Sequence, residues 1–451
     1  MAPPSSVTPE YSTTQPISSR SASWEIARHL PLGKSTRRKG RGRYSALAIG
    51  AVIGIAACTS TMRIPGSAFV SYGDIPAALI AIAAMLRKTR TIFNWEGRLA
   101  RSLFLAIAVT FLLADLNGLS RYGADIFFLL IAHTTKWVMY AIAGTYGLSL
   151  VPRKRPWYLA GFVAAFFINA IIITGAYYLD SGSRQNAMGG LNYAGEENVQ
   201  GVTVETGKNG YALLLAVILA IVLEVEPRSY RTKQWITRLR LALALGLVLA
   251  INVAASRTGL VAAILVLLMY ARTAKRRLCV AAVLCATIAF LSVKPELASS
   301  LASTKRLSYS MGNGDELYGL DLGNRTVLAY QSLADIWATP IIGRGFFSKF
   351  YANDVLIPSG AHNLYIQLII ESGFVGLAIW LALMWSLIRV TWAIRKTWLG
   401  YGPLSSVVIL SVTAMTEVYL QGPGAICILS VVACLAIAEP TSRPINKARY
   451  Y

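Results

Sequence analysis

Apolar runs recur along almost the whole of this 451-residue chain and are separated by short polar stretches. A helix of about 20 mostly apolar residues is long enough to cross a bilayer. The runs predict twelve such spans, at 44–62, 67–86, 102–120, 126–150, 157–179, 210–226, 241–255, 258–271, 278–293, 368–388, 403–419 and 424–438. The fold class expected from this pattern is therefore all-α, a polytopic membrane protein.

The composition agrees with that prediction. Hydrophobic residues make up 55% of the chain and charged residues 14%, whereas a soluble domain is nearer a quarter charged. The net charge of +22 does not indicate nucleic acid, because the basic residues lie mainly in short segments between the spans. All five cysteines fall within apolar segments, so we expect neither a disulfide nor a zinc site.

The distribution of basic residues predicts the orientation. With the N-terminus inside, the inner segments hold 31 Lys and Arg residues and the outer segments 11. Cytoplasmic loops carry such an excess, so both termini are predicted to be cytoplasmic. Residues 1–43 are expected to be a disordered tail, with an organelle transit peptide as the alternative, and residues 439–451 a second tail.

Two of the predicted outer loops are long. The first, 180–209, interrupts the nine spans within 44–293, and the second, 294–361, precedes the last three spans within 362–438. Long loops in compact proteins usually serve a function. The sequence therefore places the expected activity on the outer face.

One of the three histidines, His362, lies where the second outer loop meets a hydrophobic helix. An imidazole there is suited to take a proton from a hydroxyl group near neutral pH. His29 lies in the polar tail and His133 inside an apolar segment, so His362 is the preferred candidate. A capping or packing role is the alternative.

Arg257 stands between two apolar segments with almost no loop around it. Ionisable groups at such depth usually face a cavity, and a planar guanidinium matches phosphate oxygens. Contact with lipid headgroups is the alternative. Further basic candidates lie in the two outer loops: Arg184, Lys208, Arg325 and Arg344.

Carboxylates supply the remaining candidates. Glu371 is a possible partner for the imidazole, but nine residues separate it from His362, so direct contact within one straight helix is not expected. Inside the spans, pairing is expected among four ionisable residues, as is usual for charges in a membrane: Asp74, Asp115, His133 and Lys136.

Four segments together resemble the O-antigen ligase-like family, which includes O-antigen ligases and Wzy-type polysaccharide polymerases. Its signature resembles residues 361–365 (Ala-His-Asn-Leu-Tyr) and 371–377 (Glu-Ser-Gly-Phe-Val-Gly-Leu). Residues 256–259 (Ser-Arg-Thr-Gly) are similar to the family's other characteristic element, and Pro-x-x-Gly-x-Gly at 340–345 to its outer loop. The latter is not a dinucleotide fingerprint, because no strand–turn–helix unit surrounds it.

The resemblance implies an inverting, metal-independent glycosyltransferase without a cofactor, at the periplasmic face of a bacterial inner membrane. The implied donor is a glycan on undecaprenyl pyrophosphate. His362 would activate the acceptor hydroxyl and Arg257 would hold the pyrophosphate. Arg184 matches by place the family's arginine after the fifth span, but its local match is poor, so Lys208 stays open for that role. The secondary candidates are Arg325, Arg344, Asn363 and Glu371.

Two reactions occur in this family. A ligase moves the glycan to a lipid A-core sugar in lipopolysaccharide biosynthesis, and a polymerase moves it to the next lipid-linked unit of an O-antigen or exopolysaccharide. The signature favours the ligase type. The alternative of another class is a transporter or flippase, but transporters of twelve spans often carry a long inner loop between two similar halves. Here the longest predicted loop is an outer one, after span nine.

Overall fold

The computed structural model describes residues 38–60, 70–87, 95–179, 207–225, 230–253, 256–293, 332–346, 348, 363–415 and 422–439. Within these ranges the long regular elements are all helices, which confirms the all-α class. Eleven of them are named here: α1 (Arg38–Cys58), α2 (Asp74–Leu86), α3 (Trp95–Gly144), α4 (Arg155–Leu179), α5 (Gly207–Glu224), α6 (Tyr230–Val253), α7 (Arg257–Tyr270), α8 (Ala274–Val293), α9 (Leu364–Ala393), α10 (Gly402–Thr413) and α11 (Pro423–Ala438).

Several of these helices are able to cross a membrane. In the described part of the chain, five are long and apolar enough: Gly97–Ala124, Ile126–Ser149, Arg155–Ile172, Ala274–Val293 and Leu364–Ala393. Seven apolar helices of 10–17 residues overlap the other predicted spans. The chain is therefore a multi-pass helical membrane protein. Twelve spans remain a prediction, because the apolar part of each of these seven helices, at 10–17 residues, is shorter than the bilayer is thick.

The helix α3 is a hairpin of two arms. Gly123 has φ 82° and ψ 179°, a conformation that breaks the helix. The arms fold back on each other, since the Phe111 and Trp137 rings meet edge to face at 5.3 Å and Thr134 Oγ1 donates to Asp115 Oδ2 at 2.6 Å. These arms correspond to the third and fourth predicted spans.

Small residues let α1 and α4 pack closely side by side. A Cβ atom at Gly50 would lie 1.9 Å from the carbonyl oxygen of Tyr158, and one at Gly161 would lie 2.0 Å from that of Leu47. Close backbone approach over small residues is the usual way in which helices associate in a membrane, where burial from water supplies no driving force.

The two parallel helices α5 and α7 are used here to define the two ends of the bundle. Near their beginnings α5 and α7 touch, because a Cβ atom at Gly259 would lie 2.3 Å from that of Ala212. Where α5 ends, Glu224 pairs with Arg272 and Arg276, which follow α7. We call the latter the Glu224 end.

The helices α9 and α10 define the opposite end. Gly402, at the start of α10, lies against Ile221 of α5, so α10 begins at the Glu224 end. Where α10 finishes, the carbonyl oxygen of Ala414 accepts a hydrogen bond from the N–H of Leu364 at 2.8 Å. We call this the Asn363 end.

Basic side chains concentrate at the Glu224 end. The described residues there include Arg87, Arg98, Arg101, Arg153, Lys154, Arg155, Arg240, Arg272, Lys275, Arg276, Arg277, Arg389, Arg395 and Lys396. At the Asn363 end the described basic residues include Arg121 at the tip of the α3 hairpin and Arg344. The unequal distribution of Lys and Arg residues that the sequence predicts between inner and outer segments is thus found between the two ends of the bundle.

The expected pairing of ionisable residues inside the bundle is confirmed for one pair. Lys136 Nζ lies 3.2 Å from Asp74 Oδ2 and 3.2 Å from Ser71 Oγ. Asp115 instead bonds a hydroxyl group and a backbone N–H, as described below.

Candidate active site

The first turn of α9 fixes the chain directly after His362. Asn363 is the N-cap, and its Oδ1 accepts hydrogen bonds from the N–H groups of Tyr365 (2.9 Å) and Ile366 (3.2 Å). The hydroxyl of Tyr365 donates to the carbonyl oxygen of Ser411 at 2.7 Å. A capping oxygen satisfies N–H groups that have no partner within the helix, so Asn363 has a clear structural role.

The predicted phosphate contacts Lys208 and Arg257 lie in adjoining first turns. Lys208 belongs to the first turn of α5 and Arg257 begins α7. Ser256 caps α7 by accepting a hydrogen bond from the N–H of Gly259 at 3.0 Å. The contact between Gly259 and Ala212 brings these two turns together.

The starts of α5, α7 and α9 lie at the same end of the bundle. From Gly402 beside Ile221, α10 runs antiparallel to α5 for about eleven residues, or about 17 Å at 1.5 Å per residue. It ends level with the start of α5, and it packs against both α5 and α7. The end of α10 in turn holds the first turn of α9. Three helix N-termini, with their positive dipole ends, therefore share the Asn363 end.

The helix α9 is broken at Gly373, which has φ 68° and ψ −175°. In an unbroken helix the N–H groups of Phe374 and Val375 would bond the carbonyl oxygens of Ile370 and Glu371. Backbone groups buried in a membrane protein need other partners when a helix breaks.

The segment 340–346, named loop 340–346 below, supplies these partners. Its N–H groups at Arg344 and Gly345 donate to the carbonyl oxygens of residues 370 (2.9 Å) and 371 (3.0 Å). Its carbonyl oxygens at Pro340 and Ile341 accept from the N–H groups of residues 374 (2.8 Å) and 375 (3.4 Å). Four hydrogen bonds to the loop thus replace two within the helix.

Glycines make this approach possible. A Cβ atom at Gly343 would lie 2.4 Å from the backbone carbon of Glu371, and one at Gly373 would lie 2.0 Å from the carbonyl oxygen of Ile341. Gly343 and Gly345 also have φ values of 82° and 109°, a region that favours glycine. The Pro-x-x-Gly-x-Gly spacing singled out in the sequence is therefore the spacing of a loop docked into a broken helix.

The α3 hairpin holds the other side of loop 340–346. Asp115 Oδ1 accepts from the N–H of Phe346 at 2.8 Å, while Asn117 Nδ2 donates to the carbonyl oxygen of Gly343 at 2.7 Å. The Phe346 ring lies 4.5 Å from that of Phe111. The sequence predicts Asp115 only as a partner of a charged group and gives no signal for Asn117. A lone polar residue in a span does not indicate a partner more than 200 residues away.

Two secondary candidates have partners of their own. Arg344 is buried, and its Nη1 lies 3.0 Å from Asp335 Oδ1, in a helical segment at 332–338. Glu371 is fully buried and accepts a hydrogen bond from Gln367 Nε2 at 2.7 Å. The backbone N–H of Arg344 and the backbone carbonyl oxygen of Glu371 join loop 340–346 to α9, while a side-chain contact with substrate stays a prediction for each.

Three predicted site residues lie outside the described residues: His362, Arg184 and Arg325. Their roles stay predictions. Among the described residues, no group of three or more His, Cys, Asp or Glu side chains is placed to hold a metal ion. The expected metal independence is not tested by this geometry.

The chain was compared with known protein families. Residues 241–381 match the family described as O-antigen ligase. The matched segment contains Arg257, loop 340–346, Asn363 and the break in α9. A comparison with curated proteins finds no match.

Proposed function

Residues 241–381 form a domain of the O-antigen ligase family, which confirms the predicted resemblance, and from this premise we propose the reaction. The protein transfers a glycan from undecaprenyl pyrophosphate to an acceptor hydroxyl at the periplasmic face of a bacterial inner membrane. The acceptor is a lipid A-core sugar, as for an O-antigen ligase.

The observation that carries the proposal is that the N-termini of three helices lie at the Asn363 end, two of them in contact. Backbone N–H groups and the dipole at a helix start attract phosphate. Lys208 and Arg257, in two of these first turns, add positive charge beside them. His362 precedes the third helix by two residues, and Arg184 is a further candidate from the first outer loop.

The proposed chemistry is a single displacement. The imidazole of His362 accepts the proton of the acceptor hydroxyl while that oxygen attacks the anomeric carbon of the glycan. The bond between this carbon and the phosphate oxygen breaks, and its electron pair leaves with undecaprenyl pyrophosphate. Attack from the opposite side inverts the anomeric configuration.

In this reaction the basic residues stabilise the negative charge of the departing pyrophosphate. Pyrophosphate is already a good leaving group, so the protein has to position the reactants and stabilise the departing charge. One positioned base contributes about 10²–10⁴-fold to the rate. Removing the imidazole therefore leaves binding in place and slows the transfer.

The test is reconstitution of the purified protein with an undecaprenyl-pyrophosphate-linked glycan and a lipid A-core acceptor. His362→Ala is expected to lower the transfer rate by about 10²–10⁴-fold while the protein still extracts as a folded species. His29→Ala, in the N-terminal tail, is the matched control and keeps the full rate. Transfer is followed by the shift of the acceptor on a gel, with and without a chelator.

Each result bears on the proposal. Full activity of the His362→Ala variant would remove the catalytic assignment, and activity lost in chelator would indicate a metal-bound mechanism. Transfer only to a second lipid-linked repeat unit would assign a polymerase. In cells, the ligase reaction predicts that a null strain makes lipid-linked polymer but lipopolysaccharide without long glycan.

A further inference from the structure

A cavity of about 550 Å³ lies at the Glu224 end, opposite the candidate active site. It is bounded by α2, both arms of α3, α9 and α11. A volume of 300–1,000 Å³ is typical of a small-molecule site.

The cavity leads from the lipid-facing surface to the core. Met85 and Leu105 line it and are 64% and 67% exposed, whereas Trp137, also in the lining, is 1% exposed. Most of the lining is apolar, and the described part of it contains no acidic side chain. An apolar chain that enters from the bilayer would meet matching surface along this path.

Two arginines stand at the mouth of the cavity. The guanidinium of Arg87, where α2 ends, lies 5.0 Å from the centre of the Tyr146 ring. Arg101, in the first arm of α3, also lines the cavity. Along α3, Ala108 lies seven residues further on, about 10 Å deeper. Positive charge at the mouth and apolar surface below it fit a ligand with an anionic head and a hydrocarbon tail.

We propose that this cavity binds an anionic phospholipid, with its phosphate on Arg87 and Arg101 and one acyl chain in the cavity. The many basic residues at this end would face the cytoplasmic leaflet, and basic pockets between helices on that side suit anionic headgroups. The proposal is independent of the proposed transfer reaction, because it concerns the other end of the bundle.

The test is native mass spectrometry of the full-length protein, titrated in detergent with phosphatidylglycerol or with phosphatidylcholine of the same chains. The wild type is expected to retain more phosphatidylglycerol than phosphatidylcholine. A double variant, Arg87→Gln with Arg101→Gln, is expected to bind phosphatidylglycerol about tenfold more weakly and to lose the preference.

Two further variants separate a site from general attraction. Lys275→Gln with Arg277→Gln removes two charges at the same end of the bundle, outside the cavity, and is expected to bind as the wild type does. Ala433→Leu narrows the cavity and is expected to lower retention of both lipids without a change in charge.

Three results would overturn the proposal. One is a wild type that retains the two lipids equally, and another is a double arginine variant that keeps the preference. The third is an equal loss of binding in the control variant, which would mean that the charge of the whole end, rather than this cavity, attracts the lipid.

Discussion

Asp115 shows how one polar side chain inside a membrane helix organises distant parts of the chain. One carboxylate oxygen accepts from Thr134 on the opposite arm of the α3 hairpin, and the other accepts from the N–H of Phe346. The residue is fully buried. A buried N–H without a partner costs more free energy than a typical hydrogen bond contributes. The N–H of Phe346 therefore needs an acceptor at position 115.

Substitution of Asp115 is expected to loosen loop 340–346. Asp115→Ala leaves the N–H of Phe346 without its acceptor and should lower stability by about 1–3 kcal/mol. Asp115→Asn retains an acceptor oxygen and should lower it less. The melting temperature of the purified protein, followed by tryptophan fluorescence, measures the effect.

Ser120→Ala is the control on the same arm, because its hydroxyl is exposed and donates only to a carbonyl of its own helix in the described contacts. It should melt as the wild type does. If Asp115→Ala melts no earlier than Ser120→Ala, the bond to Phe346 contributes nothing measurable.

At the scale of elements, α9 and loop 340–346 act as one structural unit. The break at Gly373 frees backbone groups that would otherwise bond along the helix, and the loop takes them up on both sides. The loop is thereby anchored about ten residues from the start of α9. Its position relative to the Asn363 end is fixed by backbone hydrogen bonds.

Substitution of two glycines that share a backbone conformation distinguishes the cost of backbone strain from the cost of a clash between a new side chain and a neighbouring segment. Gly123 and Gly373 both combine a positive φ with a ψ near 180°, but a Cβ atom at Gly123 meets nothing within 4 Å. Gly123→Ala should therefore cost only the conformational strain, about 1–3 kcal/mol. Gly373→Ala adds a clash with Ile341 and should cost more and release the loop.

Melting temperature and limited proteolysis of the loop distinguish these outcomes. Gly373→Ala is expected to melt well below Gly123→Ala and to be cut in the loop at lower protease concentration. Equal melting temperatures and equal cleavage of the two variants would mean that the docked loop is not what requires glycine at 373.

At the scale of the whole molecule, the two ends of the bundle differ in charge and in content. The Glu224 end carries most of the described basic side chains and the lipid-facing cavity. At the Asn363 end lie the first turns of α5, which contains Lys208, of α7, which begins at Arg257, and of α9, which follows His362 in the sequence. Basic loops are retained on the cytoplasmic side, so the Asn363 end is expected to face the periplasm.

Reporter fusions test this orientation. Alkaline phosphatase inserted after residue 320, in the second predicted outer loop, should be active, because the enzyme folds only outside the cytoplasm. The same enzyme inserted after residue 274, at the start of α8, should be inactive, and green fluorescent protein at the C-terminus should fluoresce. The reverse pattern would place the candidate active site in the cytoplasm and contradict the proposed donor.

Apolar runs and short motifs were enough to predict the helical membrane class, the approximate positions of the apolar helices and the family resemblance. These follow from local properties: a run of apolar residues forms a helix in lipid whatever surrounds it, and a motif is a set of neighbours in the chain. The sequence also predicts pairing among Asp74, Asp115, His133 and Lys136, because charges inside a membrane need partners, and the structure confirms the pair of Lys136 with Asp74.

Which of these helices are in contact could be learned only from the folded molecule. The docking of loop 340–346 into the break of α9 joins residues 26–34 positions apart, and its attachment to Asp115 and Asn117 joins segments more than 200 residues apart. The contact between the starts of α5 and α7 is likewise visible only in the folded molecule. Such contacts depend on small residues and single hydrogen bonds between distant segments, and no periodic pattern along the chain records them.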